Sequence, residues 1–187
     1  MRKILGLANS VRHSSDRPLI LYHAGIVASS IVRTEDIMAS KATIVSDGVC
    51  HLTQSNAEVV LNSEVIIVAV KPALIPKVMG EIIGAISTDI LKTKLFISIA
   101  AGVSISDVEL LLTPGVRIIR VMPHTPCSVR ECASAYSAGE YATSNDREIC
   151  ETIFKSVGTV SQVPESLMDG VTGLSGSGPA CKNFTTV

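Results

Sequence analysis

Strands and helices alternating along most of the chain predict an α/β fold with a doubly wound, mostly parallel sheet. Three observations carry that prediction. Two apolar runs of strand length, EVIIVAV (64–70) and KLFISIAA (94–101), lack the polar alternation of a half-solvated strand and read as strands buried on both faces. Between them Ile75, Val78, Met79, Ile82, Ile83 and Ile86 fall at helical spacing and form one apolar stripe. Each run stops at a residue that ends strands, Pro72 in the first case and Gly102 in the second.

The remaining elements follow in order. Residues 3–8 read as a first strand, 19–27 are apolar, and DIMAS (36–40) has the look of a short strand. After the second buried run, Ser104 with Asp107 three residues on resembles a capping box, with Val108, Leu111 and Leu112 on the inner face of a short helix. VRIIRVM (116–122) reads as a strand and the small residues of 133–138 as another. Ser144 can cap a helix whose Ile149, Cys150, Ile153, Phe154 and Val157 face inward, and Gly158 suits its end. A last short strand follows at 159–163. A domain boundary is placed near Glu165, after which 173–180 (GLSGSGPA) is rich in glycine.

Composition narrows the function classes. The 187 residues are 47% hydrophobic and 18% charged with net charge −1, the balance of a soluble globular protein. The near-zero charge and 3% aromatic content give no basis for nucleic-acid binding, and no apolar run reaches membrane-spanning length. The five cysteines form no C-x-x-C pair and read as reduced thiols. The four histidines are dispersed, so no metal site is expected. A cytoplasmic location is the expectation, with a mitochondrial presequence as the alternative suggested by Arg2, Lys3, Arg12 and Arg17.

In an open α/β sheet, ligands bind beyond the carboxyl ends of the strands. Here those ends carry Lys71-Pro72, the small residues Ala100, Ala101 and Gly102, and the rigid turn MPHTP (122–126). Small residues let a ligand approach the backbone closely. Lys71 could face an anion, or be a solvated strand terminus. His124 could donate or exchange a proton near neutral pH, or simply be exposed. Tyr136 and Arg130 near it could carry chemistry too, or be ordinary surface residues. The GLSGSGPA stretch has the N–H groups and hydroxyls of an anion-binding nest, without the lysine of a phosphate loop.

Taken together and in order, several segments resemble pyrroline-5-carboxylate reductase: IMAS (37–40), AVKP (69–72), AAGVSI (100–105), RVMPHTPCSVRE (120–131), SVG (156–158) and VPESLMDGVTGLSGSGPA (163–180). The resemblance implies a Rossmann-like cofactor domain over 1–164, with 1–36 divergent, followed at 165–187 by only the start of a second, all-α dimerisation domain and a divergent tail. It implies NADPH or NADH as cofactor, with Lys41 favouring NADPH, and hydride transfer to 1-pyrroline-5-carboxylate to give L-proline. Ser40 and Lys41 would lie near the adenosine ribose or its 2′-phosphate, and Asn56 would bond the adenosine side. Ala69, Val70, Lys71, Pro72, Ile99, Ala100 and Ala101 would line the pyrophosphate and nicotinamide ribose. Glu165, Ser175, Ser177 and His124 are the candidates nearest the substrate.

The sequence departs from the family in three places. The opening KILGLANSVRHSSD has only Gly6 where the family has a G-x-G-x-x-G-type turn, His124 stands where the family usually has Asn, and the resemblance stops after Ala180. The expectation is a family homo-oligomer whose dimerisation domain is missing here, leaving the chain inactive or serving as a non-catalytic nucleotide-binding or partner-binding fragment.

Overall fold

The structure, a computed structural model, describes residues 4–8, 55–124, 126–127 and 130–177. Six strands form one sheet in chain order: β1 (Ile4–Ala8), β2 (Val65–Ala69), β3 (Leu95–Ser98), β4 (Arg117–Met122), β5 (Cys132–Ala138) and β6 (Gly158–Gln162). The first four are parallel and β5 joins β4 antiparallel, with β6 parallel to β5. The expected α/β, mostly parallel sheet is therefore present. The apolar runs at 19–27 and 36–40 lie outside the described residues.

β2 and β3 explain the rest. Val65, Ile66, Ile67, Val68, Leu95, Phe96 and Ile97 are all buried, so both faces of these strands must be covered. On one face Ile66, Val68 and Phe96 pack with α1 (Asn56–Leu61), α2 (Ile75–Ala85) and α4 (Ile105–Leu111). α3 (Thr88–Lys92), which the periodicity did not reveal, adds Leu91 to that layer. On the other face Val65, Ile67, Leu95 and Ile97 pack with Tyr136 of β5 and with Cys150, Ile153 and Phe154 of α5 (Ser144–Lys155). Burial pushes the Cys150 thiol up to about 12, so it is an inert core residue.

The helix ends show how local sequence sets these positions. α4 starts at the expected capping box: Ser104 Oγ accepts from Asp107 N at 3.1 Å and Asp107 accepts from Ser104 N at 3.0 Å. α5 is capped by Thr143 rather than Ser144, because the reciprocal partner, Asp146, stands three residues after Thr143. Asp146 is fully buried, yet it also accepts from Arg117 of β4 at 2.6 Å, so the cap doubles as a helix-to-sheet tie.

Three expectations are corrected. Tyr136 is 1% exposed, because its place in β5 turns it to the α5 face; its hydroxyl donates to Glu151 at 2.8 Å. Burial, then that carboxylate, pushes the Tyr136 phenol up to about 12. Cys127 and Cys132 are joined as a disulfide rather than standing as two thiols, because the turn after β4 doubles back and brings their Cα atoms to 4.3 Å. The glycine-rich stretch is no open nest over its described part. α6 (Met168–Val171) runs into one wide π turn, Thr172–Gly176, and Ser177 N donates to Thr172 O at 2.8 Å.

Gly158 opens β6 with φ +154°, where an added Cβ would lie 2.0 Å from the Cys132 carbonyl oxygen. That neighbour is backbone and cannot rotate away. Gly158→Ala is expected to cost ~3 kcal/mol or more, by strain and by separating β6 from β5. Urea unfolding monitored by circular dichroism would measure it, and a loss below ~1 kcal/mol would show that the strand pair relaxes freely.

Candidate functional site at the carboxyl edge of the sheet

The parallel register decides what meets at the rim. Val68 is level with Ser98, and Ile99 N donates to Val68 O at 3.1 Å, so β2 and β3 leave the sheet side by side. Ala69, Val70, Lys71 and Pro72 therefore emerge beside Ile99, Ala100 and Ala101, as expected. Val70 and Ala100 are buried, Ala69 and Ile99 are half-buried, and Lys71, Pro72 and Ala101 are exposed. Ser98, buried beneath the turn, accepts from Ala100 N at 3.4 Å.

Two features suit this rim to a ligand that hugs the backbone. Gly102 has φ +73°, a conformation that turns the chain sharply after Ala101, and an added Cβ there would meet nothing within 4 Å. Pro72 opens a short 3-10 turn (Pro72–Leu74) leading directly into α2. The residues present fit an extended nucleotide lying along the edge, since small side chains leave its path open.

Other expected site residues are placed as follows. Asn56 is the first residue of α1; its Nδ2 donates to Glu81 Oε2 at 2.6 Å, and its buried Oδ1 has no partner among the described residues. His124 is half-buried at the end of β4, its N–H 3.2 Å from Cys132 Sγ. Ser175 is half-buried and Ser177 exposed in the π turn and just after it. That turn reaches the rim, because a Cβ on Gly176 would lie 2.2 Å from the terminal methyl of Met122. Ser40 and Lys41 lie outside the described residues.

Glu165 is half-buried and tied through one carboxylate oxygen. Its Oε1 accepts from Arg120 at 2.8 Å and from Ile105 N at 3.1 Å, while Arg120 also donates to Asp169 at 2.8 Å. Burial opposes the charge on Arg120, but the hydrogen bonds to Asp169 and Glu165 overcome it and hold its pKa above the ordinary value. The sequence reading did not single out Arg120. Charge in the middle of an otherwise apolar strand, IIRVM, was the signal available.

One neighbour sits uneasily. Glu109 of α4 packs over Gly139, and its Oε1 is buried without a partner among the described residues. Burial, and then the charges of Glu140 and Glu165, raise its pKa. The ionised form is thus disfavoured in the fold, and its stability contribution is lost as pH rises through the raised pKa. Glu109→Gln is expected to raise the unfolding temperature at pH 7, with the gain fading as pH falls into the ordinary carboxylate range. A thermal melt series across that interval checks this; a gain that persists at low pH would contradict it.

The fold is of the α/β, Rossmann-like type, and residues 20–102 match the family model described as NADP oxidoreductase coenzyme F420-dependent. The pyrroline-5-carboxylate reductase of Methanosarcina acetivorans is 42% identical over 163 residues, and pyrroline-5-carboxylate reductase 3 of Mus musculus is 36% identical over 163. Over this domain the chain is similar to the pyrroline-5-carboxylate reductases. It spans somewhat over half the length of these curated relatives, 58% and 57%, while 83% of the chain is aligned to each. Among solved structures, a pyrroline-5-carboxylate reductase from Coxiella burnetii is 31% identical with a TM-score of 0.76, covering 96% of this chain and 65% of that one. A Plasmodium falciparum pyrroline carboxylate reductase with NADP bound shares the fold at 24% identity and a TM-score of 0.74, covering 96% of this chain and 64% of that one.

Proposed function

We propose that the domain binds NADPH, or NADH, along the carboxyl edge of β1 to β4 and serves the reduction of 1-pyrroline-5-carboxylate to L-proline. The observation that carries this reading is the in-step exit of β2 and β3, which puts Ala69, Val70, Lys71 and Pro72 beside Ile99, Ala100 and Ala101 on one rim. The bound nicotinamide would supply the hydride. The chain's own residues bind and orient: the two turns give backbone N–H groups and open space to the pyrophosphate and ribose, and Lys71 gives an opposing charge. Ser40 and Lys41 would serve the adenosine ribose or its 2′-phosphate, favouring NADPH, and Asn56 would bond the adenosine side.

On the substrate side, His124 and the turn bearing Ser175 and Ser177 are the groups that border the same rim, beside Met122. Residues 1–164, with 1–36 divergent, are the cofactor unit in this reading, and 165–187 comprise the start of a helical unit and a divergent tail. No helix among the described residues is long and apolar enough to cross a membrane.

Nucleotide titration followed by NADPH fluorescence, with turnover of pyrroline-5-carboxylate measured in parallel, tests the reading. Micromolar binding with proline formation supports it in full. Binding without turnover leaves a nucleotide-binding module, and no binding removes the reading altogether. Lys71 is exposed, so Lys71→Glu leaves the fold intact and is expected to weaken NADPH binding about tenfold, or ~1.4 kcal/mol. Unchanged affinity would mark Lys71 as a solvated strand terminus.

A further inference from the structure

We propose that Arg120 is a positioning residue: its buried guanidinium fixes where residues 165–176 lie on the sheet, and so where the glycine-rich turn meets the rim. The substrate-side role of that turn rests on the reductase reading; the clamp itself does not.

Arg120 sits in the interior of β4 and is 4% exposed. A buried charge is tolerated only when its donors are engaged. The sheet makes room for it, because its register partners on either side are the small, buried Ser98 and Ser137. The partners come from 45 and 49 residues further along: one terminal nitrogen donates to Glu165 Oε1 and the other to Asp169 Oδ1, each at 2.8 Å. These carboxylates stand four residues apart on a continuous helical stretch, Glu165–Leu167 followed by α6. A rigid planar fork that holds two points one turn apart sets the rotation of that stretch as well as its location.

The clamp reaches the rim on two sides. Glu165 Oε1 also accepts the N–H of Ile105, the first residue of α4, which begins just after Ala101 and Gly102. Beyond Asp169 the chain winds into the π turn and brings Gly176 against Met122 at the end of β4. Between these contacts Met168 is fully buried, whereas Leu167 and Leu174 are 55% and 75% exposed. Met168 is buried because the clamp turns it to the sheet. Arg120 is not a ligand for a substrate carboxylate, since both of its terminal nitrogens are committed and its side chain is 5% exposed.

Hydrogen exchange read by mass spectrometry on the 187-residue chain tests the clamp, alongside NADPH titration. Arg120→Gln is expected to speed exchange about tenfold in peptides covering 164–177 while leaving β2 and β3 protected. Any NADPH affinity seen in the wild type should stay within about threefold. Arg120→Lys, which keeps the charge but not the fork, should restore part of the protection. Glu165→Gln and Asp169→Asn should each give part of the effect and add nothing to Arg120→Gln. Unchanged exchange at 164–177, a rise spread evenly through the sheet, or no rescue by Lys would overturn the proposal. Should Arg120→Gln fail to fold, the two carboxylate variants decide it, and unchanged exchange in both would overturn it. Exchange needs no ligand, so a wild type that binds no NADPH sinks the cofactor reading while this test stands.

Discussion

The register between β2 and β3 is the constraint from which the site follows. Both strands are buried on both faces, so a slip of one residue would move Ile66, Val68 and Phe96 out of one helical layer and into the other. The two layers are not interchangeable. One receives α1, α2 and α4, while the other receives α5 and Tyr136. Core packing therefore fixes the register, and the register fixes which residues leave the sheet together. The rim at Ala69, Val70, Ala100 and Ala101 is a consequence of burial several residues below it, and needs no contact among the rim residues themselves.

Charge buried in the sheet works differently from that apolar core. Arg117 and Arg120 both project from β4, and each meets carboxylates that arrive from later in the chain, Asp146 for the first and Glu165 with Asp169 for the second. Such pairs add little net stability where one partner is exposed, as Asp169 is at 83%. Their value lies in direction. An apolar contact can slide, whereas a guanidinium deprived of its partner is left with its desolvation cost unmet, which penalises every other placement of the segment. The two arginines thus specify how α5 and residues 165–171 lie on a sheet that hydrophobic burial alone would hold less exactly in angle.

The elements with strong periodicity were legible because each encodes its own burial. EVIIVAV and KLFISIAA could only be inner strands, and the stripe from Ile75 to Ile86 could only be one helix face. α3 was missed because five residues present too little periodicity to read. The cap of α5 was displaced by one residue because Thr143 and Ser144 are both good caps, and only the acid at +3 separates them. The antiparallel step at β5 had a signal that went unused. The nine residues between Met122 and Cys132 are too few for a parallel crossover, which needs a dozen or more. At the site, the rim was legible because small residues after a buried strand mean close approach. The ties of Glu165 were not, since no local pattern links it to a strand 45 residues earlier.

These differences separate two kinds of specification in one molecule. The rim after β2 and β3 is built from backbone and from the absence of side chains, so many sequences could supply it, and its recognition depends on where strands end. Residues 165–176 have no sheet register of their own and must be placed by contacts. Glu165 joins the two, because a single carboxylate oxygen touches both the arginine of β4 and the first N–H of α4. A shift of residues 165–176 could not occur without disturbing the helix that follows Ala101 and Gly102. The charged ties fix how residues 165–176 lie, while apolar burial fixes which residues meet at the rim.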